Sequence, residues 1–187
     1  MKNIIYKITL YLGFIFCVQK YNAQVKDDGA DFRIGIKGGI NRSVVNAIDN
    51  FGEKSGYIGT ELYGGIVFQR KIANQSFMQV SALVSYTDDV TFIELPIYYR
   101  YNIYNKISVF AGPKLNYIPD VQYNNFNYFR KRLGVNIDIG TDYQIIKNLY
   151  FEASFSKAFT KQYDNTALDF YYSKRNVYRI GLTYFIN

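Results

Sequence analysis

The sequence of 187 residues contains no histidine, no tryptophan and a single cysteine. Without histidine there is no Ser-His-Asp or Cys-His arrangement, and the side chain that most often binds a metal ion is missing. The single cysteine, Cys17, cannot form a disulfide within the chain. The composition therefore excludes the common forms of histidine-assisted catalysis, and we predict a protein that is not an enzyme and binds no cofactor or metal.

The N-terminus has the order of a secretory signal peptide. Lys2 and Lys7 precede an apolar run at residues 8–18, and the small residue Ala23 follows. The run is too short for a membrane-spanning helix. Phe16 is large where lipid attachment to Cys17 needs a small residue, so we predict ordinary cleavage. The predicted organisation is a signal peptide at residues 1–23, a short lead at 24–30 and one domain at 31–187.

The remaining chain alternates apolar and polar residues with the period of two that is typical of β-strands. Eight such segments, each about a dozen residues long, are predicted at 31–42, 57–69, 75–86, 90–102, 106–118, 131–144, 148–160 and 174–187. Strands of this length cross a tilted bilayer, which takes about 9 to 11 residues. Short connections follow the second, fourth and sixth strands, and long ones follow the first, fifth and seventh, at residues 43–56, 119–130 and 161–173. The third connection, near residues 87–89, departs from this alternation because it is also short. Short turns at one rim and long loops at the other are typical of outer-membrane barrels.

Each predicted strand has one almost uncharged apolar face and one polar face. The polar face carries the charged residues Arg33, Lys37, Glu61, Glu94, Arg100, Lys114, Arg132, Asp138, Asp142, Glu152 and Arg179. If the apolar face were inside, the protein would be a soluble carrier of lipocalin type. If the polar face is inside, these acids and bases can pair, as buried charges must.

The positions of the aromatic residues along the strands favour the arrangement with the polar face inside. On the apolar face, aromatic residues collect near both strand ends and aliphatic residues lie between them. One group is Phe68, Tyr99, Tyr101, Tyr143 and Tyr184, and the other is Tyr86, Tyr117 and Phe159. Two aromatic belts around an aliphatic band are typical of a lipid-facing surface. We therefore predict an all-β, eight-stranded, antiparallel up-and-down transmembrane β-barrel with a polar, filled interior and a lipid-facing exterior.

The strand TFIELPIYYRYN at residues 91–102 contains a proline, which has no N–H for the ladder. A turn centred on Tyr104 predicts that Glu94 lies opposite Lys114 and Pro96 opposite Gly112. Because a closed barrel has no edge strand, we expect a bulge or local bend at Pro96.

Two motifs in this region carry a family resemblance. IELPIYYRY, followed by VFAGPKLNY, resembles the PorT-like outer-membrane β-barrel family over residues 30 to 187. The ending YRIGLTYFIN resembles the terminal-strand signal of outer-membrane barrels, although it ends in Asn187 instead of an aromatic residue. The resemblance implies a barrel in the outer membrane of a Gram-negative cell. Some members of that family are accessory parts of protein secretion.

Three functions remain open. The first is a structural element or accessory subunit of a larger outer-membrane secretion or assembly complex, and the second is a surface binding protein that acts through its long loops. The soluble carrier is the third. The most suggestive loop surface consists of Tyr123, Phe126, Tyr128, Phe129 and Arg130, which would contact a partner or fold over the barrel mouth. Expected partners are outer-membrane lipid and other outer-membrane or periplasmic proteins, with no nucleic acid and no evident small-molecule substrate. Both chain ends are expected in the periplasm.

Overall fold

The computed structural model describes residues 32–49, 51–87, 91–119, 131–165 and 170–186. The predicted signal peptide, the lead and all but the first residue of loop 119–130 lie outside these ranges, so the predictions made for them stay predictions. Within the described ranges there is no helix with the length and hydrophobicity that crossing a membrane requires.

The described residues form β-strands that close into a barrel. The strands are β1 (Phe32–Ile48), β2 (Lys54–Ala73), β3 (Ser76–Tyr86), β4 (Thr91–Tyr104), β5 (Ile107–Tyr117), β6 (Leu133–Ile146), β7 (Leu149–Ala158), β8 (Tyr163–Asn165) and β9 (Phe170–Phe185). Strands β1 to β6 each pair antiparallel with the next strand, and β9 pairs with both β7 and β1. The short β8 pairs with β9 beyond the end of β7. The predicted fold class is confirmed: β1 to β7 and β9 make a closed, eight-stranded, antiparallel barrel.

The polar face of the strands lies inside this barrel. Among the described residues, the 24 buried polar or charged side chains outnumber the 12 buried apolar ones. Large aliphatic side chains point outward instead, for example Leu62 at 65% exposure and Ile139 at 61%. A soluble protein places these classes the other way round. The barrel is therefore built for an apolar surrounding.

Two of the predicted long loops are partly strand. The loop predicted at 43–56 is wrong, because β1 continues to Ile48 and β2 begins at Lys54. Alternation persists there, and the inward-facing Val45 and Ala47 are buried. The loop predicted at 161–173 likewise contains β8 and the start of β9.

Pro96 interrupts the ladder without changing the register. Pairing of β4 with β3 passes from Ile97 to Glu94, and pairing with β5 passes from Pro96 to Tyr99. The register is the same on both sides of each gap. No bulge forms at Pro96, and the local bend stays a prediction; the register shift between β4 and β5 lies near their turn, between Asn102 and Tyr104.

The predicted register between β4 and β5 is wrong by two residues. Glu94 lies opposite Asn116, and Pro96 lies opposite Lys114. The cause is the turn, which is formed by Asn105 and Lys106, with Asn105 at a φ of 35°. Asparagine tolerates this left-handed conformation better than most residues. A shift of two leaves every side chain on its predicted face.

Candidate functional site

The charged interior of the barrel is the first candidate site. Nine of the eleven residues predicted there are buried, namely Lys37, Glu61, Glu94, Arg100, Lys114, Asp138, Asp142, Glu152 and Arg179. Arg33 is half-buried near the short-turn end. Arg132 is exposed, and its predicted interior position is wrong because β6 begins at Leu133, two residues after the predicted start at 131.

Arg175 is an interior residue that the predicted set lacks. It is only 2% exposed. It precedes Arg179 by four residues on β9, so both lie on the same face of the strand. The alternation of the strand was therefore a sufficient signal for it.

One group of ion pairs, the outer cluster, centres on Glu94. Arg179 on β9 donates a hydrogen bond to Glu94 Oε2, and Arg175 Nη1 lies 3.3 Å from Oε1. Arg175 also donates to both carboxylate oxygens of Glu61 on β2. Strands β4 and β9 are four positions apart in either direction around the barrel. The pairs of Glu94 with Arg175 and Arg179 therefore span the full width of the lumen.

Lys114 and Asp138 complete the outer cluster. Lys114 Nζ lies 3.8 Å from Glu94 Oε2 and 3.5 Å from Asp138 Oδ2. The predicted contact between Glu94 and Lys114 is thus present, but it is diagonal rather than directly across the ladder. The hydroxyl of Tyr98 donates a 2.6 Å hydrogen bond to Asp138.

A second group, the inner cluster, lies nearer the short turns. Lys37 Nζ donates a 2.6 Å hydrogen bond to Glu152 Oε2. Arg100 Nη1 is 3.1 Å from Asp142 Oδ2, and Nη2 is 3.6 Å from Glu152 Oε2. All four residues are at most 4% exposed. They connect the walls formed by β1, β4, β6 and β7.

Each cluster is electrically neutral. The outer cluster combines Arg175, Arg179 and Lys114 with Glu61, Glu94 and Asp138. The inner cluster combines Lys37 and Arg100 with Asp142 and Glu152. Buried charges cost several kcal/mol each unless they are paired and hydrogen-bonded. Local neutrality explains how so many charges are accommodated inside a barrel of this size.

Aromatic rings fill the space between the charges. Arg179 lies over the ring of Tyr63 at 4.2 Å, and Arg175 over Phe92 at 3.9 Å. Tyr98 stacks on Phe110 with 4.7 Å between ring centroids. Arginine stacks well on aromatic faces. Since eight strands leave an interior only wide enough for side chains, these contacts fill the lumen.

The outer surface is the second candidate site. Ile36, Ile66, Ile180 and Leu182 are each 46% to 56% exposed. Exposed aromatic residues lie towards both ends of the strands and include Tyr86, Tyr117 and Phe159 at one end and Tyr99, Tyr101, Tyr143 and Tyr184 at the other. This arrangement suits contact with lipid chains between two layers of headgroups. The predicted loop surface at Tyr123, Phe126, Tyr128, Phe129 and Arg130 lies outside the described residues.

The barrel is similar to solved structures of small bacterial membrane proteins. Ail, the attachment invasion locus protein of Yersinia pestis, solved in complex with the heparin analogue sucrose octasulfate, is 14% identical, with a TM-score of 0.52 over 84% of this chain and 100% of that one. The fold is that of a small outer-membrane β-barrel. Neisserial surface protein A is 10% identical over 83% of this chain and 97% of its own, with a TM-score of 0.49. OprG of Pseudomonas aeruginosa is 17% identical over 84% and 97%, with a TM-score of 0.47. At these identities the likeness concerns the fold alone.

No protein-family model matches the sequence, and no curated protein matches it. The resemblance to the PorT-like family therefore stays a prediction based on the two motifs in β4 and β5.

Proposed function

We propose that this protein is a non-enzymatic, integral outer-membrane barrel that acts as a structural element or accessory subunit of a larger assembly. The observation that supports this most is the inverted distribution of side chains. Ten buried charges fill the lumen, and the exposed surface is aliphatic with aromatic ends. Such a barrel gains its stability from lipid outside and ion pairs inside, and it leaves no aqueous channel for transport.

The proposed orientation puts the short turns and both chain ends in the periplasm. The turns at residues 74–75, 105–106 and 147–148 lie at the same rim as Phe32 and Phe185. Short turns are periplasmic in bacterial outer-membrane barrels. The predicted signal peptide and the PorT-like motifs agree with export and with a role beside other envelope proteins.

Photo-cross-linking from three faces tests the proposed role. A photoreactive amino acid would replace Ile66 on the lipid face, Lys147 at the short-turn rim or Phe51 at the opposite end, each in intact cells. An accessory subunit gives a defined heteromeric product from Ile66 or Lys147. Products from Phe51 alone contradict that role and favour surface binding.

Surface binding is the second candidate because the β1–β2 hairpin extends beyond its neighbour. Pairing of β2 with β3 begins only at Leu62, whereas β2 pairs with β1 from Lys54. Phe51 at the tip is 87% exposed. Large exposed aromatic residues are common in recognition surfaces. Replacing Phe51 by serine should abolish any surface binding and leave the yield of folded barrel unchanged, which a binding measurement on whole cells would check.

A further inference from the structure

A small cavity lies at the short-turn end of the barrel, between the inner cluster and the β4–β5 turn. Its volume is about 30 Å³, and its walls include Arg33, Gln69, Arg100, Lys106 and Tyr150. Three cationic side chains line it, and the remaining lining residues, all within the described part of the chain, include no carboxylate. The cavity is therefore a concentration of positive charge with polar walls.

Arg100 has unused hydrogen-bonding capacity at this cavity. It is 2% exposed, yet its Nε and Nη2 atoms carry no hydrogen bond. Its contacts with Asp142 and Glu152, at 3.1 Å and 3.6 Å, are ion pairs that offset its charge. A buried donor without an acceptor is unfavourable, because it has lost its hydration and gained no hydrogen bond in return. An incoming acceptor would supply that hydrogen bond.

Arg33 and Lys106 supply the surplus charge. Arg33 is held in place because its Nη1 donates to the hydroxyl of Tyr150 at 3.1 Å and its guanidinium lies 4.1 Å from the ring centre of Phe185. Lys106, an exposed residue of the β4–β5 turn, also lines the cavity. A pre-positioned arginine beside a flexible lysine is a common arrangement for binding an anionic oxygen group.

The size of the cavity narrows the ligand class. One water molecule, which has about the size of one oxygen atom, needs roughly 10 to 15 Å³ of cavity volume. The cavity therefore holds about two oxygen atoms, which fits a carboxylate and is small for the four oxygens of phosphate. Gln69 Oε1 is also buried there without a hydrogen bond, and rotation of the amide presents its NH₂ group instead.

We propose that this cavity binds a single carboxylate that enters from the short-turn side, carried by a peptide chain end or an acidic side chain. Arg33 and Arg100 contact the two oxygens, and Lys106 adds a third positive charge. The cavity and its charge do not depend on the proposed function. Only the statement that the ligand comes from the periplasm does.

Isothermal titration of the full-length barrel in non-ionic detergent tests the site. The probe is N-acetyl-trialanine with a free C-terminal carboxylate, compared with the same peptide as its C-terminal amide and with inorganic phosphate. We expect saturable one-to-one binding of the free acid and at least about tenfold weaker binding of the amide and of phosphate, because only the carboxylate matches both charge and size.

Variants on the same rim separate the cavity from general positive potential. The double variant Arg33→Gln and Lys106→Gln should weaken binding of the free acid at least about tenfold. The control Arg70→Gln and Lys147→Gln removes two exposed charges that do not line the cavity and should leave affinity within about twofold. Lys106→Gln alone, in an exposed turn, serves if the double variant fails to fold. Equal binding of acid and amide, equal loss in the control, stronger binding of phosphate, or no binding of the free acid would each overturn the proposal.

Discussion

Arg179 donates a hydrogen bond to Glu94 across the barrel, although 85 positions separate the two residues in the chain. They stand on β9 and β4, which lie on opposite walls. Glu94 also faces Arg175 and Lys114, so a single carboxylate contacts three cations. This relationship makes Glu94 the point at which the outer cluster should be most sensitive to substitution.

Glu94→Gln should lower the free energy of unfolding by roughly 3 to 5 kcal/mol, because it leaves buried cations without their shared carboxylate. Adding Arg179→Met should restore more stability than adding Lys114→Met, since Lys114 lies 3.8 Å from Glu94 and also contacts Asp138. Such non-additivity is expected of residues in contact. Urea unfolding of the barrel in lipid vesicles measures it, with Lys147→Gln in an exposed turn as the control.

Strictly additive effects of the single and double substitutions would contradict the outer cluster as described. Equal rescue by Arg179→Met and Lys114→Met would contradict the relative strength of the two contacts.

Gly112→Ala should destabilise the barrel, whereas Gly64→Ala should not. A Cβ atom at Gly112 would collide with the carbonyl oxygen of Ile97 in the region of β4 where the ladder is interrupted. At Gly64 the nearest atom would be the Lys37 oxygen, at 3.7 Å, an ordinary contact. The midpoint of heat modifiability on gels measures the difference. A larger loss of stability for Gly64→Ala than for Gly112→Ala would contradict the close approach of β4 and β5 at Gly112.

A charge on the lipid face should hinder membrane insertion according to its depth. Ile180 is 56% exposed and lies opposite Ile40 and Ala153, near the middle of β1 and β7. Ile180→Arg should make folding into the membrane less favourable by roughly 2 to 4 kcal/mol. Phe159→Arg, at the strand end, should make it less favourable by only about 0 to 1 kcal/mol. The yield of folded barrel in the membrane fraction provides the comparison. Similar yields for the two variants would contradict the assignment of the apolar band.

The sequence alone predicts which side chains face inward, because the alternation of polar and apolar residues has a period of two. An error of two residues in the register leaves each side chain on the same face. The register of β4 and β5 required the turn at Asn105, whose left-handed φ is a property of the folded chain. The predicted interior position of Arg132 depends on a strand that starts at residue 131, whereas β6 begins at Leu133. Arg175 was accessible to the same alternation that indicated Arg179.

The sequence did not predict which charged residues pair with each other. Alternation predicts that Glu94 and Arg179 both face inward, but only closure of the barrel puts β4 opposite β9. The extension of β1 and β2 beyond β3 was missed for a related reason, since loop-like residues such as Asn46 and Ser55 lie within paired strands there. Pairing with a neighbouring strand overrides local preference in sheets.

The most direct test of the inside-out barrel is fluorescence quenching by lipids that carry a quencher on their acyl chains. Single cysteines at Ile180 and at Thr183, in a chain whose only other cysteine is replaced by Cys17→Ser, would carry a small fluorophore in a barrel folded in vesicles. Ile180 is exposed on the apolar face and Thr183 is fully buried on the inner face. We expect strong quenching at Ile180→Cys, and poor labelling with little quenching at Thr183→Cys. Strong quenching at Thr183→Cys with none at Ile180→Cys, or no difference between the two, would contradict a lipid-facing exterior and a charged interior.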